Sequence, residues 1–321
     1  MSRVVFYSEP SHRVALAESL APDDLDVSVV DTGLSWKKRK ELLKDTEVLI
    51  LGGLAMPYEE LVQLPKLKML QLMSAGYDQI DVPAVREQGI FVANNSPQIA
   101  RSVAEHALGL MLTVQHKFVP GVEGVRDGTW REPVRSGVYE VGGKTIGIIG
   151  LGNIGRLVAQ MVRGFGPAEV IYNDTAPIPA DVEAELGVRR VGFEELLKTS
   201  DIVTVHVPLF SGTRGMMNAH AFSLMKESAI FINTCRGPVQ NEADLIDALN
   251  DGQIRAAGLD VFEVEPTPVD NPLLSMENVA VTPHLAGSSE ERVERALVFS
   301  YQNARRVVSG GDPEGQFEVL T

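Results

Sequence analysis

The segment Thr145-Ile146-Gly147-Ile148-Ile149-Gly150-Leu151-Gly152-Asn153-Ile154-Gly155 reads as a strand that runs straight into a glycine loop, and residues 156–163 behind it have helical spacing. The pattern G-x-G-x-x-G is weak alone, because glycine is common and the positions are few. The strand before it and the helix after it give it weight. In that setting Gly150 permits a tight turn, Gly152 lets the backbone approach a pyrophosphate, and Gly155 lets the helix pack closely on the strand, while the helix N-terminus supplies partial positive charge. The next strand ends at Asp174, twenty-four residues beyond Gly150, near the expected ~20. A carboxylate there accepts hydrogen bonds from the adenosine ribose hydroxyls and repels a 2′-phosphate, which points to NAD over NADP. A glycine turn capped by a surface aspartate is the plainer alternative, but it does not call for strand, loop, helix, strand and acid in this order.

The alternation extends in both directions. Upstream, short apolar runs at 4–7, 27–30, 48–51, 69–72 and 90–92 are separated by stretches such as 13–20 and 36–43 with helical spacing. Downstream, strands are expected at 145–149, 169–172, 202–205, 229–233, 256–259 and 279–281, and a long helix at 290–308. Between the two series, residues 102–118 are apolar around most of a helix, which predicts burial between domains or subunits. A polar, glycine-containing stretch, 121–143, follows it. The fold class is therefore α/β, with two doubly wound parallel-sheet lobes.

Composition narrows the function. A chain of 321 residues suggests about two domains. Its 44% hydrophobic and 22% charged residues are those of a globular protein. The net charge of −14 is broken by no basic run longer than Lys37-Lys38-Arg39-Lys40, so a nucleic-acid partner is not expected. The single cysteine, Cys235, forms no internal disulfide, and six scattered histidines offer no zinc spacing, so no metal is expected. No apolar run approaches the ~18 residues that span a bilayer, and the Met-Ser-Arg-Val-Val start has no signal-peptide layout. A cytoplasmic location without a membrane partner is the expectation.

Three further segments each close a predicted strand: Asn233-Thr234-Cys235-Arg236-Gly237, Leu259-Asp260-Val261-Phe262-Glu263-Val264-Glu265-Pro266 and Thr282-Pro283-His284-Leu285-Ala286-Gly287. Singly, Arg236 is as readily a surface ion pair, Glu265 a loop acid and His284 a buried histidine. Ligands of open parallel sheets bind at the carboxyl ends of strands, so downstream of a dinucleotide loop the three together describe a hydride-transfer site.

With Ser74-Ala75-Gly76-Tyr77-Asp78-Gln79-Ile80-Asp81, Val103-Ala104-Glu105-His106-Ala107-Leu108 and Val205-His206-Val207-Pro208-Leu209 in the same order, the chain resembles the D-isomer-specific 2-hydroxyacid dehydrogenase family over nearly its whole length. The resemblance implies a Rossmann NAD-binding domain (101–288) inserted in a flavodoxin-like substrate domain (1–100 and 289–321), with a hinged cleft between them. It implies that His284 is the acid/base of a 2-keto acid reductase, that Glu265 hydrogen-bonds the imidazole and favours imidazolium, and that Arg236 clamps the substrate carboxylate. The backbone amides of Ala75 and Gly76 are the implied second substrate contact. Asn153 and Ile154 are implied at the pyrophosphate, and Ser102, Val207, Pro208, Cys235 and Asp260 along the cofactor. Cys235 reads as packing rather than as a nucleophile, and His206 and Asp260 are as readily structural.

Several relatives are disfavoured. The loop 72–77 carries no cation for a phosphorus substrate, Glu265 argues against formate, and no regulatory extension is expected after the last helix. A dinucleotide-sensing corepressor-like protein of the same fold is the alternative function, and a Rossmann enzyme of amino acids or S-adenosylhomocysteine a more distant one. The apolar helix and the stretch after it imply a homodimer of cofactor lobes.

Overall fold

The computed structural model describes residues 1–53 and 55–317, and the chain divides into two compact units, Met1–Ile99 with Gly287–Thr321 and Ala100–Ala286.

The first unit is a five-stranded sheet of β1 (Arg3–Ser8), β2 (Asp26–Asp31), β3 (Val48–Leu51), β4 (Met69–Leu72) and β5 (Phe91–Ala93), in the order β2-β1-β3-β4-β5 and parallel throughout. β3 is Val-Leu-Ile-Leu and β4 Met-Leu-Gln-Leu, buried at every position, as a sheet covered on both faces requires. The strand period of two sorts the side chains. Val5, Tyr7, Leu49, Leu51, Leu70 and Leu72 share one core, while Val4, Phe6, Val48, Ile50 and Met69 share the other with Val293, Ala296 and Leu297 of the helix Glu290–Val308. Gln71, buried within β4, is satisfied by Leu72 O at 3.1 Å, Ala93 O at 3.3 Å and Asn303 Nδ2 at 2.8 Å.

The second unit is a seven-stranded parallel sheet of β6 (Thr145–Ile149), β7 (Glu169–Asn173), β8 (Arg189–Arg190), β9 (Ile202–Val205), β10 (Ile230–Asn233), β11 (Ala256–Leu259) and β12 (Val279–Val281), in the order β12-β11-β10-β9-β6-β7-β8. The direction of winding reverses at β6, so the glycine loop leaves the sheet at its switch point. Strand β8 is a finding the sequence hides. Its two residues are exposed arginines on the sheet edge, and Arg189 is held by Glu169 at 2.7 Å and Glu195 at 3.2 Å.

One expectation changes in the region between the two strand series, and another gains detail. The apolar helix spans Ser96–Gln115, and Ala104, Ala107, Leu110, Met111 and Val114 pack on Ile146, Ile148, Ile230, Ile232 and Ala256 of its own unit. It lies close: a Cβ on Gly258 would sit 3.0 Å from the Leu110 Cβ. The glycine-containing stretch expected as a loop begins with a helix, Phe118–Asp127, whose interior Gly124 takes the Trp130 carbonyl so closely that a Cβ would come within 2.7 Å. Tertiary contact outweighs the ~1 kcal/mol that glycine costs a helix. Exposed apolar side chains therefore lie on Phe118, Val122, Val125 and Trp130 rather than on the preceding helix. No helix among the described residues is long and apolar enough to cross a membrane.

Candidate active site

The glycine loop has the shape its sequence requires. Gly150 lies at φ 89°, and a Cβ there would strike His206 O at 2.6 Å and Val207 Cγ1 at 2.8 Å, so the loop is seated against the end of β9. A Cβ on Gly155 would meet Gly150 O at 2.1 Å, whereas one on Gly152 would meet nothing within 4 Å. The open side at Gly152 leaves room for a ligand to approach the backbone. Gly152 is also the N-cap of the helix Asn153–Val162 and supplies no side-chain cap, which leaves amides for an anion. Asp174 follows β7, and its Oδ2 accepts from Leu151 N at 2.7 Å, so this carboxylate also pins the loop. Loop, helix end and acid fit NAD: the amides would face its pyrophosphate and Asp174 its ribose. Ile154 packs partly into the core beneath.

The three residues of the candidate site follow three adjacent strands. In the ladder Asn233 pairs with Leu259 and Leu259 with Val281, so β10, β11 and β12 end level with one another and their loops emerge together. His284 Nδ1 lies 2.6 Å from Glu265 Oε2, while Glu265 Oε1 accepts from Phe262 N at 3.0 Å. A carboxylate only accepts, so the proton of this pair sits on Nδ1, and Nε2 is left for a substrate. Burial, the largest influence on Glu265, pushes its carboxyl up, but the hydrogen bonds from His284 and Phe262 and the charges of His284 and Arg236 outweigh it and hold the carboxyl below its ordinary range. Arg236 Nη1 donates to Cys235 O at 2.7 Å. A Cβ on the next residue, Gly237, would fall 1.8 Å from Phe262 O, so only glycine lets the Arg236 turn press against the Glu265 loop.

Asp260 has a structural task, the other reading that its sequence left open. It is fully buried, and Oδ1 accepts from Thr282 Oγ1 at 2.6 Å and Leu285 N at 2.9 Å, while Oδ2 accepts from Ala286 N at 2.9 Å. His106 Nε2 stands 3.4 Å from Oδ1 and 2.8 Å from Thr282 Oγ1. Between these anchors His284 takes φ 53°, left-handed for a residue with a side chain, and its N donates to Asp260 O at 2.8 Å. Ser102 Oγ donates to Ala286 O at 2.6 Å and so ties the same loop.

The other expected residues have local tasks. Cys235 is buried, its thiol donates to Asn233 Oδ1 at 3.1 Å, and burial pushes it up to about 11, which leaves it protonated and unreactive. Burial pushes His206 down to about 3, so it is neutral, with Nε2 2.9 Å from Thr204 Oγ1. Val207 abuts the glycine loop, and Pro208 O accepts from Thr213 Oγ1 at 2.6 Å. Ala75 and Gly76 belong to the first unit, where Ala75 O accepts from Asn94 Nδ2 and Gly76 O from Ser74 Oγ, both at 2.8 Å. Sequence reasoning passed over Asn233, whose buried amide donates to Arg236 O and Gln240 Oε1, both at 3.1 Å, and shapes the arginine turn. Its signal was a polar residue ending an apolar strand.

Residues 108–286 match the family described as D-isomer specific 2-hydroxyacid dehydrogenase, NAD binding domain. Over 285 residues the chain is 39% identical to a glyoxylate reductase of Korarchaeum cryptofilum, covering 87% of this chain and 85% of that protein. It is 36% identical over 308 residues to a D-3-phosphoglycerate dehydrogenase of Methanocaldococcus jannaschii, which covers 95% of this chain but only 57% of that longer protein. The NAD-complexed D-isomer specific 2-hydroxyacid dehydrogenase of Lactobacillus delbrueckii ssp. bulgaricus superposes with a TM-score of 0.82 at 26% identity, covering 99% of this chain and 100% of that one. The chain belongs to the D-isomer specific 2-hydroxyacid dehydrogenase family, and its cofactor is NAD. These relatives are named as reductases and dehydrogenases, so the corepressor-like alternative is not favoured.

Asp174 stands beside the glycine loop at the end of β7, where the sequence reading expects the ribose contact. Asp174→Ala narrows the NADH-over-NADPH ratio of kcat/KM by at least ~10-fold, equivalent to about 1.4 kcal/mol, with some loss of Tm because Leu151 N loses its acceptor. A wild type that uses NADPH better than NADH contradicts the assignment.

Proposed function

We propose that the protein reduces a small 2-keto acid to the D-2-hydroxy acid, and runs the reverse oxidation, with His284 as acid/base, Glu265 as its partner and Arg236 as carboxylate clamp. The observation that carries this reading is the 2.6 Å contact of His284 Nδ1 with Glu265 Oε2, in the unit that also carries the glycine loop. Bound NADH supplies the hydride. As the keto carbon is reduced, charge grows on its oxygen, and Nε2 of the imidazolium delivers a proton there while Glu265 stabilises the positive ring. In oxidation Nε2 takes the hydroxyl proton back. The planar guanidinium of Arg236 suits a two-point grip on the substrate carboxylate. Ala75 and Gly76 amides are assigned the second carboxylate contact by family resemblance.

The test is a panel of 2-keto acids with NADH, followed at 340 nm. His284→Ala lowers kcat by ~10²-fold or more and leaves NADH binding, read by fluorescence titration, within about twofold. Normal turnover by that variant contradicts the acid/base assignment.

The same reading includes a homodimer. Val125 and Trp130 are 58% and 64% exposed, and Phe118, Val122 and Val125 line one surface hollow, an exposed apolar set of the kind monomers seldom keep. Light scattering gives about twice 34.9 kDa, and Val125→Glu with Trp130→Glu moves it to the monomer value. A monomeric, fully active wild type contradicts the dimer.

A further inference from the structure

The loop of His284 is shaped by polar contacts. Pro283, His284 and Leu285 at its tip are all exposed, so apolar burial does not settle its conformation. His284 N donates to Asp260 O at 2.8 Å and to Thr282 O at 3.1 Å, and the backbone there takes φ 53°. An exposed turn keeps such a conformation only where its surroundings over-determine it. Asp260 supplies one set of restraints. A second set comes from the helix Ser96–Gln115, through two residues that no step of hydride transfer uses.

Ser102 and His106 are four residues apart in that helix, so they lie on one face, about 6 Å apart along the axis. Ser102 Oγ donates to Ala286 O at 2.6 Å, and His106 Nε2 lies 2.8 Å from Thr282 Oγ1. Thr282 comes two residues before His284 and Ala286 two residues after it, so a single helical turn holds the loop on both sides of the imidazole. The hydrogens follow from the acceptors. A carboxylate only accepts, so the Thr282 hydroxyl gives its hydrogen to Asp260 Oδ1 at 2.6 Å. The Thr282 oxygen is then the acceptor for His106, which carries its hydrogen on Nε2. That Nε2 also stands 3.4 Å from Asp260 Oδ1, and no lysine or arginine among the described residues pairs with this buried carboxylate. The helix is a firm base for both anchors, because Ala104, Ala107, Leu110 and Met111 pack on the sheet beneath it. All of these groups belong to the second unit.

We propose that Ser102 and His106 are positioning residues for keto-acid reduction, which aim the His284 imidazole by bracketing its loop. The effect on rate rests on the reading of His284 as acid/base; the bracket itself does not. Removing either anchor leaves Asp260 in place and frees one shoulder of the turn, so the loss falls on kcat and not on the binding of NADH or keto acid. A helix that merely stabilised the fold would move Tm and leave the kcat of the folded enzyme unchanged.

The full-length protein is compared with His106→Leu, which keeps bulk without a donor, His106→Gln, whose amide N–H stands in for that of Nε2, and Ser102→Ala, which loses one hydroxyl. With NADH and the keto acid that wild type reduces best, His106→Leu lowers kcat by ~10-fold or more and Ser102→Ala by ~3-fold, while KM and the NADH dissociation constant stay within about twofold. His106→Gln recovers kcat to within ~3-fold of wild type. A second measurement needs no turnover: by hydrogen exchange the amides of Leu285 and Ala286 open at least ~10-fold faster in His106→Leu, and those of β6 do not. Full kcat in His106→Leu, or an equal loss in His106→Gln, overturns positioning by His106. Weakened NADH binding in Ser102→Ala makes Ser102 a cofactor contact and overturns its part. Should His106→Leu fail to fold, Ser102→Ala carries both readouts at nearly unchanged volume, and full kcat with unchanged exchange there overturns the bracket. Normal turnover by His284→Ala, together with the faster exchange in His106→Leu, upholds the bracket and overturns the acid/base reading instead.

Discussion

The buried carboxylate of Asp260 is the contact on which the site depends. A charge taken wholly out of water is costly unless its lone pairs are used, and here one hydroxyl and two amides of the loop after β12 use them, with His106 at 3.4 Å behind. Each such charge-assisted hydrogen bond is worth about 1.5–3 kcal/mol, enough together to hold a short loop in a conformation it would otherwise leave. His284 sits in the middle of that loop at φ 53°, a backbone state costing of order 1 kcal/mol or more. The strain and the clamp belong together: the left-handed turn directs the imidazole to Glu265, and Asp260 keeps the turn.

Steric exclusion does the rest. Gly237 lies so close to the Phe262 carbonyl that the Arg236 turn and the Glu265 loop share one packed surface, and Gly155 does the same for the glycine loop and its helix. The parallel ladder ends β10, β11 and β12 at one level, so three segments distant in sequence open side by side. None of these contacts is chemical in the sense of catalysis, yet together they set the segments of Arg236, Glu265 and His284 side by side at one end of the sheet.

Much of this was legible in the sequence because it repeats simple periods. The central strands are unbroken apolar runs, and the helix 290–308 shows its stripe clearly enough that its limits are read directly. The motifs at the strand ends announced themselves through residue type. What stayed hidden depends on contacts between distant segments. Glycines at 121 and 124 argue against a helix, and only the Trp130 carbonyl packed on Gly124 explains why one forms. The helix expected to be buried packs one face on the sheet of the second unit, a partner that an apolar circumference does not name. The bonds from Thr282, Leu285 and Ala286 to the oxygens of Asp260 join segments more than twenty residues apart, so the structural task of Asp260 shows only in the fold.

Asp260→Asn tests the central claim most directly. The amide keeps the size and one acceptor oxygen but turns a donor towards the N–H of Ala286 or Leu285, so the clamp loses a bond and gains a repulsion. With the loop freed, kcat for keto-acid reduction falls by ~10²-fold, while the NADH dissociation constant and the far-ultraviolet circular dichroism stay at wild-type values. A variant that keeps full turnover with the same pH profile contradicts the account, because His284 would then hold its place without the buried charge.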